Sequence, residues 1–151
     1  MEITFSGCGT PEMIECLAQA GILFGRDLFP SRLYPHITID VIIRSNMREH
    51  GMCEPTYFNS SGKPRGFEIE LRKKKSIKSM IATLAHEMVH VKQFINEEIN
   101  DYNMDWKGKR VNIRKLDYYD LPWEAEAFGS EKRLMELYKN NFQIPSSSPS
   151  E

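Results

Sequence analysis

Two stretches of the chain alternate with a period of two. Ile37, Ile39, Val41 and Ile43 fall on one side, and Thr38, Asp40, Ile42 and Arg44 on the other, which predicts a strand with one wholly apolar face. Phe67, Ile69 and Leu71 alternate with Glu68, Glu70 and Arg72 in the same way. A shorter candidate strand, Cys53 to Phe58, precedes the turn-rich run Asn59-Ser60-Ser61-Gly62-Lys63-Pro64, so the two runs predict a hairpin with a loop longer than two residues. Three other stretches carry helical spacing. Thr10-Pro11 reads as an N-cap and first turn opening a helix to about Asp27, with Met13, Ile14, Leu17, Ala20 and Gly21 near one face. Ser76 caps a second, running to about Asn96, whose stripe is Ile77, Met80, Ile81, Leu84, Met88, Val91 and Ile95. A third opens near Pro122 and ends near Asn140. The pattern predicts an α+β fold: an N-terminal helix, a small, mostly antiparallel three-stranded sheet, then two helices. Residues 1–144 read as one domain, and the Ser/Pro-rich 145–151 as a disordered tail.

Composition narrows the classes. A length of 151 residues with 40% hydrophobic and 27% charged residues is that of an ordinary globular domain. Lys and Arg total 20 against 21 Asp and Glu, a net charge of −1, which argues against a dedicated nucleic-acid or membrane-surface binder. No apolar run reaches the ~18 residues of a membrane span, and Met1-Glu2-Ile3-Thr4 lacks a signal-peptide pattern. Cys8, Cys16 and Cys53 are odd in number and form no CxxC pair, so they read as core filler in a reducing, cytoplasmic setting.

The chemistry is concentrated in the second helix, which contains His86-Glu87-Met88-Val89-His90. Two His four apart sit one above the other on a helix, so their ring nitrogens converge on one ion. Glu87 lies about 100° around the helix from His86, beside the ion rather than on it. There it can take a proton from a water that the metal has acidified. This is the HExxH signature of zinc metallopeptidases, and it predicts one zinc held by His86 and His90 with Glu87 as general base.

A catalytic zinc normally takes a third protein ligand. The metzincin extension is absent, since Gln93 and Asn96 stand where Gly and His would be needed, and no His follows His90. His36 and His50 lie upstream and read as surface or loop residues. A downstream acid remains, from Glu97, Glu98, Asp101, Asp105, Asp117, Asp120, Glu124, Glu126, Glu131 and Glu136. At 100° per residue, Phe128, Met135, Tyr138, Ala127 and Glu131 fall within roughly 60° of Glu124, on the apolar stripe. Glu126 points roughly 200° away, to the predicted solvated side. The wheel therefore selects Glu124 as third ligand, with Glu131 either a partner of a ligand His or a surface residue.

The segment Leu84-Ala-His-Glu-Met-Val-His-Val-Lys-Gln93 resembles the active helix of small SprT-like metallopeptidases, including bacteriophage-borne ones. Trp106-Lys-Gly108 and Tyr118-Tyr-Asp-Leu-Pro-Trp-Glu-Ala-Glu-Ala127 resemble the downstream block of the same group. The resemblance covers roughly residues 76–140. It implies a zincin-like fold, peptide-bond hydrolysis of a protein or peptide substrate, and a host-cytoplasmic setting if the chain is phage-encoded. The Glu after Trp is similar to the gluzincin arrangement, which again implies Glu124 as third ligand. The rival expectation is a non-catalytic zinc-binding interaction module in which the metal pins two helices. Tyr118 and Tyr119 precede the ligand helix and are candidates to stabilise an oxyanion, or else rim packing. Trp106 and Trp123 read as packing anchors, and Arg72-Lys73-Lys74-Lys75 and Lys107-Gly-Lys-Arg110 as solvated runs.

Overall fold

The computed structural model describes residues 1–100 and 104–145; Asp101 and residues 146–151 of the expected tail lie outside them. The element order is β1 (Glu2–Gly7), α1 (Pro11–Leu28), β2 (Thr38–Arg44), β3 (Gly51–Phe58), β4 (Pro64–Arg72) and α2 (Ile77–Ile95). After α2 come three two-residue strands, β5 (Ile99–Asn100), β6 (Asp105–Trp106) and β7 (Lys109–Arg110), and then α3 (Pro122–Asn141). Short 3₁₀ turns occupy Tyr34–His36, Ile113–Lys115 and Tyr118–Asp120.

The fold is α+β, but the sheet corrects the sequence reading. It has four strands in the order β1-β2-β4-β3 and is mixed. The β1–β2 and β2–β4 pairs are parallel, and only the β3–β4 hairpin is antiparallel. The fourth strand is the N-terminal Glu2–Gly7, whose Ile3 and Phe5 stand in register with Ile39 and Val41. β1 leaves the sheet through Gly7, at φ +96°, where an added Cβ would run into the Ile43 carbonyl; only glycine allows that approach. A second small antiparallel sheet, β5-β6-β7, forms within the connection ahead of α3.

The helices begin where their caps predict. Thr10 Oγ1 accepts from Met13 N at 3.2 Å, and Ser76 Oγ accepts from Ser79 N at 3.2 Å, each satisfying a first-turn donor that no carbonyl can reach. Helices α1 and α2 lie against the sheet face bearing Ile37, Ile39, Val41, Ile43, Phe67, Ile69 and Leu71, all buried, and α3 packs on α2. Leu17, Ala20 and Phe24 of α1, Met80, Ile81 and Leu84 of α2, and Leu134 and Tyr138 of α3 close the core over that face with no residual exposure. α2 is central: it touches α1 on one side, α3 on the other, and β3 and β4 below. The opposite sheet face carries Thr38, Asp40, Glu68 and Glu70. Of the cysteines, Cys16 is buried, Cys53 half-buried and Cys8 exposed, so core filling does not describe Cys8, whose thiol donates to Ile43 O at 3.3 Å. Among the described residues no helix is long and apolar enough to cross a membrane.

Candidate metal centre

Central packing obliges α2 to bury nearly all its faces, and its C-terminal half buries charge with them. His86 and Glu87 are 7% and 5% exposed, and Gln93 is fully buried. The compensation comes from α3. Its first turn, opened by Pro122 after the Tyr118–Asp120 turn, carries Glu124 inward to 4% exposure. Glu124 Oε1 lies 2.7 Å from His90 Nε2, and Oε2 lies 3.4 Å from His86 Nε2. The two rings stand nearly perpendicular, 79° apart, with centroids at 5.0 Å.

Donor atoms of His86, His90 and Glu124 all lie within 4.8 Å of one another. A tetrahedral ion about 2.0–2.2 Å from each of three donors requires them to be roughly 3.3–3.5 Å apart. The His86–Glu124 separation already meets that spacing, and the shorter His90–Glu124 contact needs only a small opening. Two imidazoles and a carboxylate also match the donor preference of zinc. These residues fit the metal that the HExxH pattern implies.

Electrostatics bind the cluster together. Burial pulls both imidazoles down in pKa, but Glu124 outweighs it; His86, helped by Glu131, rises to about 9, and His90 is raised too. Burial works to raise Glu124, and the two histidines hold it far below the carboxylate range instead. Glu87 behaves differently. Burial lifts it to about 7, against the opposing pull of His90 and His86.

No family model, curated protein or solved structure matches this chain.

Two connected clefts meet at Glu87. One, about 460 Å³, is lined by His50, Thr83, His86, Tyr119, Phe128 and Glu131. The other, about 270 Å³, is lined by Cys53, His90, Phe94, Trp123 and Glu124. Glu49, Gly51, Glu87 and Tyr118 border both. Another cavity of about 400 Å³, at Thr10, Met13 and Lys73 to Lys75, holds none of the cluster residues. Gly51 begins the edge strand β3 directly over Glu87: a Cβ there would lie 2.8 Å from Glu87 Oε1 and 2.8 Å from Thr83 Cγ2. The sequence reading missed this glycine, since nothing local marks a close approach between two elements.

The remaining candidates separate clearly. Tyr118, 57% exposed, borders both clefts, and desolvation together with the nearby Glu124 carboxylate raises the pKa of its hydroxyl. Tyr119 is 68% exposed and packs on Phe128, ring centroids 5.2 Å apart, while Phe128 lies against His86 at 4.4 Å. Glu131 Oε2 faces the buried Nδ1 of His86 at 3.4 Å, an ion-pair distance without a formed hydrogen bond. His36 and His50 are exposed; His50 pairs with Arg72 Nη2 at 2.8 Å and borders the larger cleft without joining the cluster. Trp123 is buried and Trp106 half-buried.

Glu126 needs correcting. It is not on a solvated side: it is half-buried, accepting from Lys92 Nζ at 3.0 Å and Gln93 Nε2 at 3.1 Å. The C-terminal turn of α2 lies beside the first turn of α3 and covers the face that an isolated wheel leaves open. Gln93 was likewise missed as a site residue. Its Oε1 lies 2.8 Å from His90 Nδ1, and its Nε2 donates to Trp123 O at 2.9 Å.

Proposed function

We propose that this chain is a zinc-dependent metallopeptidase of the small SprT-like type, with Glu124 as a gluzincin-like third ligand. The observation that carries this reading is the convergence of His86 Nε2, His90 Nε2 and the Glu124 carboxylate beside the buried Glu87, which has no hydrogen-bond or ion-pair partner among the described residues. Zinc, when bound, supplies Lewis-acid polarisation and makes water acidic enough to lose a proton near neutral pH. Glu87 takes that proton on its carboxylate and returns it to the leaving amine. Tyr118, at the junction of the two clefts, donates its hydroxyl hydrogen bond to the developing oxyanion. β3 is an edge strand, so an extended protein or peptide substrate can add to it and lay its carbonyl across Glu87. A helix pair holding the ligands beneath an edge strand agrees with a zincin-like fold. A cytoplasmic setting, the host's if the chain is phage-borne, completes the reading.

A purely structural zinc pin accounts for less. Such sites close their fourth position with a further ligand and have no use for a carboxylate beside the metal. Zinc analysis combined with Glu87→Gln is the direct test. The expected result is one zinc per chain in both proteins, with peptide hydrolysis reduced about 10²- to 10⁴-fold in the variant. Full hydrolysis by Glu87→Gln rejects the mechanism; absence of zinc from the wild type rejects the centre.

A further inference from the structure

We propose that Gln93 is the positioning residue of the metal centre, fixing the tautomer of His90 and the placement of Glu124 with one side chain; this rests on the metal reading above. The argument begins with the amide's orientation. Gln93 Nε2 lies 2.9 Å from Trp123 O and 3.1 Å from Glu126 Oε1. Both are acceptors only, so the amide nitrogen must face them. The amide oxygen therefore faces His90 Nδ1, 2.8 Å away. A flipped amide would set its oxygen against two other oxygens and is excluded on that ground.

An amide oxygen can only accept, so His90 Nδ1 carries the hydrogen. Its Nε2 is then the atom left to bind the metal, and it is the one aimed at Glu124, at 2.7 Å. The other end of the same amide holds the carbonyl of Trp123, the residue immediately before Glu124. One fully buried side chain thus ties a ligand on α2 to the backbone that presents a ligand from α3. Glu126 completes the brace, joining Gln93 to Lys92.

His86 has no equivalent. Its Nδ1 is buried without a hydrogen bond, with Glu131 Oε2 at 3.4 Å. The two imidazoles are therefore supported unequally: His90 by a formed bond to a neutral amide, His86 by a looser carboxylate and the Phe128 ring. Partners beyond the ligands typically govern metal affinity by about 10- to 100-fold, and the tighter support belongs to Gln93.

The experiment compares wild type, Gln93→Met and Gln93→Glu by zinc competition titration, with ¹⁵N-histidine NMR of the zinc-loaded proteins. Met matches the length of Gln and removes both hydrogen-bonding functions; Glu keeps an acceptor for Nδ1–H. In the wild type His90 should show a protected Nδ1–H with Nε2 on the metal. Gln93→Met should bind zinc about 10- to 100-fold more weakly and lose that protection. Gln93→Glu, which keeps an acceptor for Nδ1–H but turns an oxygen toward Trp123 O and Glu126 Oε1, should restore the Nδ1–H signal without regaining wild-type zinc affinity. A merely structural role would lower the melting temperature of Gln93→Met without moving the imidazole signal or the affinity, and that result overturns the proposal. A wild-type His90 carrying its proton on Nε2 overturns it too, even if Gln93→Met fails to fold. A wild type that takes up no zinc defeats the metal reading itself, whereas wild-type uptake matched by Gln93→Met defeats only the role of Gln93.

Discussion

Replacing Glu124 by glutamine removes a buried charge while keeping the side chain's size and its place in the first turn of α3. In the metal-free protein the carboxylate pairs with both imidazoles, at 2.7 and 3.4 Å. Breaking a buried pair costs about 3–5 kcal/mol when the stranded charge stays in place. Here the histidines can shed their protons above neutral pH, so the loss in folding stability stays below that range. The loss in metal affinity is larger in consequence. Structural zinc sites yield about 10–16 kcal/mol over four ligands, or roughly 2.5–4 kcal/mol each. At about 1.4 kcal/mol per decade, losing the Glu124 ligand should weaken zinc binding by roughly two to three decades.

Glu126→Gln is the proper comparison, because Glu126 is also acidic, two residues away and on the same helix turn. The glutamine keeps an oxygen for Gln93 and loses only the charged bond to Lys92, now at 3.0 Å. That should cost about 1 kcal/mol of stability and leave zinc affinity within about threefold, since the residue is no ligand. The assay is competition against a chromophoric chelator at matched protein concentration, with melting curves of both metal-free variants. Zinc lost in Glu126→Gln but kept in Glu124→Gln would refute the assignment. Zinc kept in both would move the third ligand into the Glu97–Asp120 connection.

Chelator should lower the melting temperature of the zinc-loaded wild type. At free zinc 100-fold above Kd the gain is about 2.7 kcal/mol, worth roughly 5–11 °C in a chain of this size; a curve indifferent to chelator removes the metal. Tyr118→Phe should reduce kcat about 10²- to 10³-fold, as for loss of an oxyanion donor, with zinc content unchanged. Tyr119→Phe should leave kcat where it is, and equal losses in the two would argue that these rings only pack.

Much of the fold was legible because its signals are local. Thr10-Pro11 and Ser76 announce their helices through side chains that satisfy nearby backbone donors, and the Asn59–Pro64 run announces its turn. Strand direction was not legible. Alternation such as Ile39-Val41-Ile43 reports one buried face, and the same alternation serves parallel and antiparallel partners. β1 shows Ile3 and Phe5 between polar neighbours, but a six-residue edge strand is too short to stand out without its partner β2. The error over Glu126 has the same root. A wheel treats α3 as an isolated cylinder, and the face it calls open is covered by Lys92 and Gln93 from α2.

Gln93 left a readable trace. It lies seven residues after His86, which places it about 20° from that histidine on the wheel, so an amide was visible on the face reserved for packing and ligands. Such a residue must find partners when buried. The structure sharpens that rule into an argument about the whole centre. Among the described residues, the buried polar or charged side chains are His86, Glu87, Gln93 and Glu124, and all four lie at one junction of α2 and α3. A core that needed only stability would fill that junction with apolar side chains, since replacing buried ions by well-packed hydrophobes is often neutral or stabilising. Gln93 and Glu124 find their partners in His90, Trp123 O and His86, whose own Nδ1 has only Glu131 Oε2 at 3.4 Å, while Glu87 has no hydrogen-bond or ion-pair partner among the described residues and opens onto both clefts. An unpaired carboxylate in that position costs folding energy and contributes nothing to packing; under the proposed metallopeptidase reading, proton transfer beside His86, His90 and Glu124 is the function that accounts for it.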